Sequence, residues 1–303
     1  MKKIYFNRKP KYLDKKTKIP VFEQQKTNLN EFSIQNADKI HDNALKWLFD
    51  THYETEKNFR KKLIKKLNLK KGNSILVTGA GSGNDLTYIL DKIGPNGIIF
   101  IQDYAKEMLI AGFKKIKKIK KYQKFKLNFF VNDATKLPFN DNLFDVCFHF
   151  GGINLYKNIR KGINEMNRVT KVGGRIVIGD EGLADWLRDS DEGKAQITNN
   201  RLYIHKPPLN LLPKNIKDVN LTWLINNCYY VISFIKTLKD WTYNMDLEHK
   251  GTRGGTIRSR HFGTLEGINP KLKNKFYTKI KEKGLTRVKI LEKLVTDFIS
   301  KND

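Results

Sequence analysis

The sequence Ser74-Ile75-Leu76-Val77-Thr78-Gly79-Ala80-Gly81-Ser82-Gly83 decides the fold. Its first five residues are a short, β-rich apolar run, and the glycines end that run. The segment from Asp85 to Ile93 then has helical spacing and is stopped by Gly94-Pro95. This order predicts a strand, a glycine turn and a helix.

The same alternation continues toward the C-terminus. Predicted strands and helices follow one another at 97–102, 105–121, 127–131, 144–150, 159–169 and 175–178. Strands that alternate with helices of ten or more residues specify a parallel sheet covered on both faces. We therefore predict an α/β fold with a doubly wound, mostly parallel sheet.

The flanking regions complete the predicted domain organisation. Residues 1–32 are polar, basic and aperiodic, which predicts an N-terminal arm that is either poorly ordered or a strap across the surface. Residues 33–182 contain two N-terminal helices as a cap, followed by the Rossmann-like core. Residues 183–303 are expected to complete the same domain with a helical lid insertion, a late antiparallel strand pair at 229–238 and 255–264, and C-terminal helices.

The charge of the chain is strongly positive. There are 58 Lys and Arg against 31 Asp and Glu, a net charge of +27, which is typical of proteins that bind nucleic acid or anionic membranes. Only 11 of the 58 are Arg, however, and side chains that grip phosphate in a bidentate manner are disproportionately Arg. We therefore interpret the lysines as solvent-exposed surface residues and disfavour a nucleic-acid partner.

Apolar runs and cysteines give further expectations. No run of about 18 apolar residues occurs, and no apolar segment follows the basic start, so we expect a cytoplasmic protein without membrane insertion. Cys147 and Cys228 lie in apolar stretches, which favours buried free thiols over a disulfide or metal framework.

The residues that follow the predicted strands indicate a ligand site, because ligands of open parallel sheets bind beyond the carboxyl ends of the strands. Gly79, Gly81 and Gly83 would let the backbone approach a ligand, although tight turns use glycine without any ligand as well. Asp103 comes 20 residues after the last of these glycines, where a carboxylate can accept both hydroxyls of a ribose. Asp133 could accept an adenine amino group or form an Asx turn, and its spacing leaves both readings open.

Five ordered motifs over about residues 70–182 resemble those of class I S-adenosylmethionine-dependent methyltransferases, in particular the branch with the ubiquinone and menaquinone methyltransferases. The motifs are Ile75 to Gly83, Asp103 with Lys106-Glu107-Met108-Leu109, Asp133-Ala134 with Leu137-Pro138-Phe139, Phe144-Asp145-Val146, and Arg168 to Arg175.

The resemblance implies S-adenosyl-L-methionine as the cofactor. It further implies that Asp103 holds the ribose and Asp133 the adenine amino group. The other residues expected around this cofactor are Gly79, Ala80, Gly81, Gly83, Tyr104, Met108 and Ala134.

One position departs from the family pattern. Members usually have Asp or Glu at the position of Val77, where the acid helps to hold the methionyl ammonium. Asp85, or backbone carbonyls between His149 and Gly151, would have to replace it. A nicotinamide dehydrogenase is disfavoured, because its G-x-G-x-x-G pattern would need glycine at Asn84.

Candidate acceptor contacts follow the fourth and fifth strands of the predicted core. They are Asn154, Tyr156, Asp180 and Glu181, with Asp180 or Glu181 as a possible base. Methyl transfer needs a base only when the acceptor starts protonated. Asp180 could instead only cap the next helix.

An arginine-rich segment gives a further candidate. Arg253, Arg258 and Arg260 lie within 13 positions, and Arg258 and Arg260 would share one face of the predicted strand. They would suit an anionic group on the acceptor. Salt bridges to Asp180, Glu181 or Asp185, or a solvated strand face, are the alternatives.

The sequence therefore predicts methyl transfer to a small organic acceptor, which would be anionic if these arginines bind it. The alternatives are an RNA or lipid methyltransferase that uses the basic surface, and a non-catalytic S-adenosylmethionine-binding protein. The sequence leaves the oligomeric state open.

Overall fold

The computed structural model describes residues 5–24, 37–252, 254–262 and 269–302. The chain forms two compact units, Met1–Trp241 and Thr242–Asp303. The domain boundaries expected after residues 32 and 182 stay predictions. No helix in the described ranges is long and apolar enough to cross a membrane.

The first unit is built on one mixed sheet, which has nine strands in the described part of the chain. These are β1 (Tyr12–Leu13), β2 (Pro20–Val21), β3 (Ser74–Thr78), β4 (Ile98–Asp103), β5 (Lys126–Val131), β6 (Phe144–Phe150), β7 (Thr170–Glu181), β8 (Ile216–Leu224) and β9 (Tyr229–Lys236). Their spatial order is β1-β2-β5-β4-β3-β6-β7-β9-β8. The run from β2 to β7 is parallel, whereas β1, β9 and β8 pair antiparallel with their neighbours.

Six α-helices in the described residues of the first unit accompany this sheet, and the second unit contains three. They are α1 (Ala37–Thr51), α2 (Glu56–Lys65), α3 (Leu86–Ile93), α4 (Lys106–Lys117), α5 (Ile159–Val169), α6 (Asp191–Asn199), α7 (Ile257–Phe262), α8 (Pro270–Glu282) and α9 (Arg287–Ile299). The α/β fold with a mostly parallel sheet and a late antiparallel pair is confirmed.

The central strands explain why the alternation could be predicted. Ile75, Leu76 and Val77 of β3 are all buried, as are Phe100 and Ile101 of β4. A parallel strand covered on both faces is apolar along its whole length, so it stands out from the helices around it. The predicted bounds of β3 and β6 match the structure.

The late antiparallel pair differs from the prediction in one of its strands. β9 was expected, but its partner is β8 and not the segment 255–264. The register of β8 shifts between Lys217 and Asn220, and Asp218 between them has a left-handed φ of 53°. This bulge breaks the strict alternation by which a strand is detected in a sequence.

The predicted strand at 255–264 was wrong, because residues 257–262 form the short helix α7. The Thr256 hydroxyl accepts the backbone N–H of Ser259 at 3.0 Å, and the Ser259 hydroxyl accepts that of Thr256 at 2.9 Å. This reciprocal pair caps the first turn of a helix. Arg258 and Arg260, two positions apart on α7, therefore do not share a face.

The N-terminal arm is a strap over residues 5–24 in the described part. β2 extends the sheet beside β5, through the pair Val21 and Val131. Phe6 packs on Phe22 and Phe139, with ring centroids 4.9 and 5.3 Å apart. The arm thus closes one face of the core next to β5.

Candidate active site

A cavity of about 950 Å³ lies at the carboxyl ends of β3, β4 and β6. All residues predicted to surround the cofactor line it. They are Gly79, Ala80, Gly81, Gly83, Asp85, Asp103, Tyr104, Met108, Asp133, Ala134, His149 and Gly151. The acceptor candidates Tyr156 and Glu181 line the cavity too.

The glycine loop between β3 and α3 has a backbone that other residues rarely adopt. Gly79, Gly81 and Gly83 have φ angles of 61°, 51° and 77°. A Cβ atom on Gly79 would lie 2.6 Å from Cε1 of His149, whereas one on Gly81 would meet only Met108 Cε, at 3.8 Å. Gly79 is therefore required by close packing, and Gly81 by its backbone angle at the open side of the loop.

Asp103 connects this loop to the next helix. Its Oδ2 accepts the backbone N–H of Gly81 at 2.6 Å, and its Oδ1 accepts that of Ala105 at 2.7 Å. Burial raises the pKa of Asp103, and the N–H groups of Gly81, Ala105 and Tyr104 oppose that rise. The two carboxylate oxygens together have about four acceptor sites, so acceptor capacity remains for a ligand hydroxyl.

Asp133 shows the local structure that the sequence left open. Its Oδ1 accepts the backbone N–H of Thr135 at 2.7 Å, which is an Asx turn. The side chain also lines the cavity, next to Tyr104. Burial raises the pKa of Tyr104, and the nearby carboxylate of Asp133 adds to that rise. The Asx turn and a ligand contact are therefore compatible here.

Sequence reasoning missed Gln102. Its Oε1 accepts the backbone N–H of Gly79 at 3.2 Å, and its Nε2 donates to the carbonyl oxygen of Asn132. Gln102 is buried and ties the glycine loop to the residues that follow β5. The available signal was a polar residue inside an otherwise apolar strand, directly before Asp103.

Arg60 was also missed. It lies on α2, is 5% exposed and lines the cavity. Its Nη1 donates to Oδ1 of Asp85 at 2.7 Å, so the acid considered as a replacement at Val77 has a buried cationic partner. No local pattern marked Arg60, since one basic residue on a Lys-rich helix is ordinary.

His149 is a buried histidine within hydrogen-bonding distance of two hydroxyls. Its Nδ1 lies 3.1 Å from Oγ1 of Thr78 and 3.3 Å from the Tyr156 hydroxyl. Burial lowers the pKa of His149 to about 4. Burial also raises the pKa of Tyr156, and the charge of Asp103 adds to that rise. Both side chains are therefore neutral near pH 7.

An aromatic wall, formed by Phe59, Phe150 and Tyr229, lines part of the cavity. The centroids of Phe59 and Phe150 are 5.3 Å apart, and Phe150 stacks on Tyr229 at 5.8 Å and 25°. The Tyr229 hydroxyl donates to Oε1 of Glu181 at 3.2 Å. Burial, followed by the charge of Glu181, raises the pKa of Tyr229 well above its ordinary value. This wall, with Glu181 beside it, therefore offers flat apolar surface and one carboxylate.

Asp180 and Asn154 differ from Glu181 in their position relative to the cavity. Asp180 is fully buried, and its Oδ2 accepts the backbone N–H groups of Gly152 at 3.1 Å and Asn154 at 2.7 Å. Among the described residues that line the cavity, neither Asp180 nor Asn154 occurs. Burial and the neighbouring Glu181 raise the pKa of Asp180, whereas the accepted N–H groups oppose this. Asp180 holds the turn after β6.

The arginines predicted to bind an anion belong to the second unit. Arg258 Nε pairs with Oδ1 of Asp246 at 2.9 Å, and Arg260 Nη2 donates to the carbonyl oxygen of Gly254 at 2.5 Å. Arg253 lies outside the described residues. The acid that pairs with Arg258 is thus Asp246, which the sequence had not indicated.

Comparison with known proteins identifies the core. The model of the ubiE/COQ5 methyltransferase family matches residues 49–181. This range contains the glycine loop, Asp103, Asp133 and the strand ends that surround the cavity. Residues 49–181 form a class I methyltransferase core.

Curated relatives of this methyltransferase core agree with that result. The demethylmenaquinone methyltransferase of Staphylococcus carnosus (strain TM300) is 36% identical over 127 residues, which are 41% of this chain and 50% of the relative. That of Staphylococcus aureus (strain JH9) is 32% identical over 126 residues, with the same shares. The chain therefore spans about half the length of the curated relatives it matches.

Solved structures share the fold of this core at low sequence identity. A candidate S-adenosylmethionine-dependent methyltransferase of Methanococcus maripaludis is 20% identical with a TM-score of 0.52, and the match covers 72% of this chain and all of the other. Phosphoethanolamine N-methyltransferase 2 of Haemonchus contortus, in complex with S-adenosyl-L-methionine, is 15% identical with a TM-score of 0.50. That match covers 63% of this chain and 56% of the other.

Proposed function

We propose that this protein binds S-adenosyl-L-methionine and transfers its methyl group to a small, flat aromatic acceptor. The observation that carries the proposal is one cavity with two chemically different sets of lining residues. The first set, here called the donor end, contains Gly81 and Asp103, and the second, the acceptor end, contains Phe59, Phe150 and Tyr229 with Glu181. A donor and an acceptor bound against these two sets would share the same cavity.

The residues of the first end fit the donor. The space beside Gly81 admits a ligand close to the backbone, because the nearest side-chain atom to its Cβ position is 3.8 Å away. Asp103 would accept the ribose hydroxyls on its remaining lone pairs, and Asp133 would accept the adenine amino group. Met108 and Tyr104 would pack against the adenine ring. The volume of about 950 Å³ is at the upper end of ordinary ligand cavities.

The protein contributes mainly positioning to the reaction. The bound donor supplies an electrophilic methyl group on its sulfonium, and the acceptor must meet that group in line. Phe59 and Phe150 would hold a flat ring by stacking contact. The Glu181 carboxylate would accept the proton of an acceptor hydroxyl, oriented by the Tyr229 hydroxyl. Asp180 is a positioning residue, because it fixes the turn that contains Gly152.

The acceptor class follows from the same end of the cavity. The curated relatives are named for demethylmenaquinone, a quinone-type molecule. A hydroquinone ring suits the aromatic wall and offers hydroxyl protons to Glu181. The second unit gives less support for an anionic acceptor, since Arg258 is paired with Asp246. That role of Arg253, Arg258 and Arg260 stays a prediction, as does the cytoplasmic location.

The two alternative functions are less well supported. RNA would bring a phosphate backbone toward a cavity whose acceptor end presents aromatic rings and the Glu181 carboxylate, which would repel it. A non-catalytic binding protein would have no use for the aromatic wall beside the donor end.

Titration calorimetry followed by a methylation assay tests the proposal. We expect the protein to bind S-adenosyl-L-methionine, and to methylate a reduced naphthoquinone without a ring methyl group, detected by mass spectrometry. Absence of donor binding would refute the donor site. Donor binding without methylation of reduced naphthoquinones or benzoquinones would refute the proposed acceptor class.

A further inference from the structure

Helix α2 places an arginine against the first turn of α3, at the wall of the cavity. Arg60 Nη1 donates to Oδ1 of Asp85 at 2.7 Å, and Arg60 Nε donates to Oε1 of Glu56 at 3.2 Å. Both Arg60 and Asp85 line the cavity next to the glycine loop. A cation this deeply buried is stable only when it is paired and hydrogen-bonded.

The Arg60–Asp85 pair does not use all of its polar atoms in the hydrogen bonds described above. Asp85 occupies the N-cap position of α3, yet its side chain makes no capping hydrogen bond. The hydrogen bonds of this pair with each other and with Glu56 use Oδ1 of Asp85 and Nε and Nη1 of Arg60, and so leave Oδ2 of Asp85 and Nη2 of Arg60 out of these bonds. An anionic acceptor, Oδ2 of Asp85, and a cationic donor, Nη2 of Arg60, are thus left for a ligand at this part of the cavity.

Val77, the position at which the family acid is missing, lines the same cavity as this pair. Val77 is buried and apolar, so it cannot bind an ammonium group. Asp85 comes two residues after Gly83, on the other side of the same loop. The amino-acid end of the methyl donor is a zwitterion. Its α-carboxylate is complementary to the guanidinium of Arg60, and its α-ammonium is complementary to the carboxylate of Asp85.

We propose that Arg60 and Asp85 together bind the amino-acid end of the donor. Arg60 donates from Nη2 to the α-carboxylate, and Asp85 accepts the α-ammonium on Oδ2. The pair thereby replaces the acid that is absent at Val77. This inference rests on the proposed function, since it concerns the same donor.

The proposal predicts selectivity between two ligands that share an adenosine. S-adenosylhomocysteine carries the amino-acid end, whereas methylthioadenosine lacks it. The wild-type protein should bind S-adenosylhomocysteine at least tenfold more tightly. Arg60→Met and Asp85→Asn should each remove most of that difference, and leave the affinity for methylthioadenosine within about twofold, because the contacts to adenosine do not change.

Calorimetry with both ligands tests this on the full chain. Arg175→Met, on β7, is the matched control and should leave both affinities unchanged. Arg60→Lys is the second variant in case Arg60→Met does not fold. It keeps a buried cation but not the planar fork, so it should weaken S-adenosylhomocysteine binding alone.

The outcomes of these binding measurements distinguish failure of the Arg60–Asp85 proposal from failure of the proposed function. Equal loss of both ligands in the Arg60 and Asp85 variants would show a purely structural pair and overturn the inference, as would unchanged affinity for both. A wild-type protein that binds the two ligands equally well would overturn the inference while leaving the donor site intact. A wild-type protein that binds neither would overturn the proposed function itself.

Discussion

The carboxylate of Asp103 accepts the backbone N–H of Gly81 at 2.6 Å, across the ends of β4 and β3. The same carboxylate accepts the N–H of Ala105, directly before α4. One side chain therefore fixes the shape of the glycine loop and the start of the next helix. Because Asp103 is also proposed to bind the donor, we expect substitutions of Asp103 to change both the loop geometry and the donor affinity.

We expect Asp103→Ala to weaken binding of S-adenosyl-L-methionine at least tenfold. Hydrogen bonds to a charged group contribute about 1.5 to 3 kcal/mol each, and a tenfold change requires only about 1.4 kcal/mol. Titration calorimetry measures the affinity. Glu107→Ala removes an equal charge from an exposed position on α4 and is the control. Unchanged affinity in Asp103→Ala would exclude Asp103 from the donor site.

We expect Gly81→Val to abolish donor binding while the protein still folds. Both Gly81 and Gly72 have left-handed φ angles, 51° and 83°, so a valine at either position is strained. Gly72 lies in the turn before β3, where a Cβ atom meets nothing within 4 Å. Gly72→Val is therefore the control for strain alone.

Thermal unfolding and calorimetry of these two variants separate the effects. Both should lose stability of roughly 1 to 3 kcal/mol, and only Gly81→Val should lose donor binding. Normal binding by a folded Gly81→Val protein would refute the assignment of the glycine loop.

We expect Glu181→Gln to lower kcat by about 10²- to 10⁴-fold, the usual contribution of a general base. Donor affinity should stay within about twofold, since Glu181 lies at the acceptor end. Tyr229→Phe should have a smaller effect, because it removes only the hydroxyl that orients Glu181. Glu192→Gln, exposed on α6, is the control. An acceptor that is methylated at the normal rate by Glu181→Gln would exclude Glu181 as the base.

We expect His149 to make the stability of the protein fall as the pH falls. Burial lowers the pKa of His149 from 6.5 to about 4, so the unfolded chain takes up a proton at a higher pH than the folded chain does. The stability is therefore complete above pH 6.5 and decreases between pH 6.5 and 4. At pH 5 the loss should be about 2 kcal/mol, from about 1.4 kcal/mol per pH unit.

Urea unfolding at pH 7 and pH 5 measures this loss within each variant. His149→Gln should reduce the difference between the two pH values, although His52, whose pKa burial also lowers, keeps part of it. His249→Gln, at an exposed position, should not reduce it. The same pH dependence in His149→Gln and the wild type would contradict a buried neutral imidazole.

Much of the donor end could be predicted because its residues follow strands. A parallel strand that is covered on both faces leaves an uninterrupted apolar run, and the residue after that run lies at the ligand edge of the sheet. Asp103 and Asp133 were found in this way, and both line the cavity. The spacing of Gly79, Gly81 and Gly83 predicted the turn between β3 and α3.

The misassigned elements depend on local geometry that composition does not reveal. β8 was missed because the bulge at Asp218 breaks its alternation. The segment of α7 was predicted as a strand because of its β-branched residues, but the mutual capping of Thr256 and Ser259 starts a helix there instead. Hydrophobic periodicity detects only uninterrupted helices and strands, so it does not reveal a bulge or a helix cap formed by two hydroxyls.

The sequence by itself determined the alternating core from β3 to β7, because that core follows from short-range periodicity, and it predicted residues at the strand ends that line the cavity. Only the tertiary structure decided that Arg60 meets Asp85, that Asp180 lies behind the cavity wall and that Glu181 lies beside Tyr229. These pairs join residues 25 to 48 positions apart. Their contacts depend on how helices and strands pack, and packing is set by the whole core instead of by neighbouring residues.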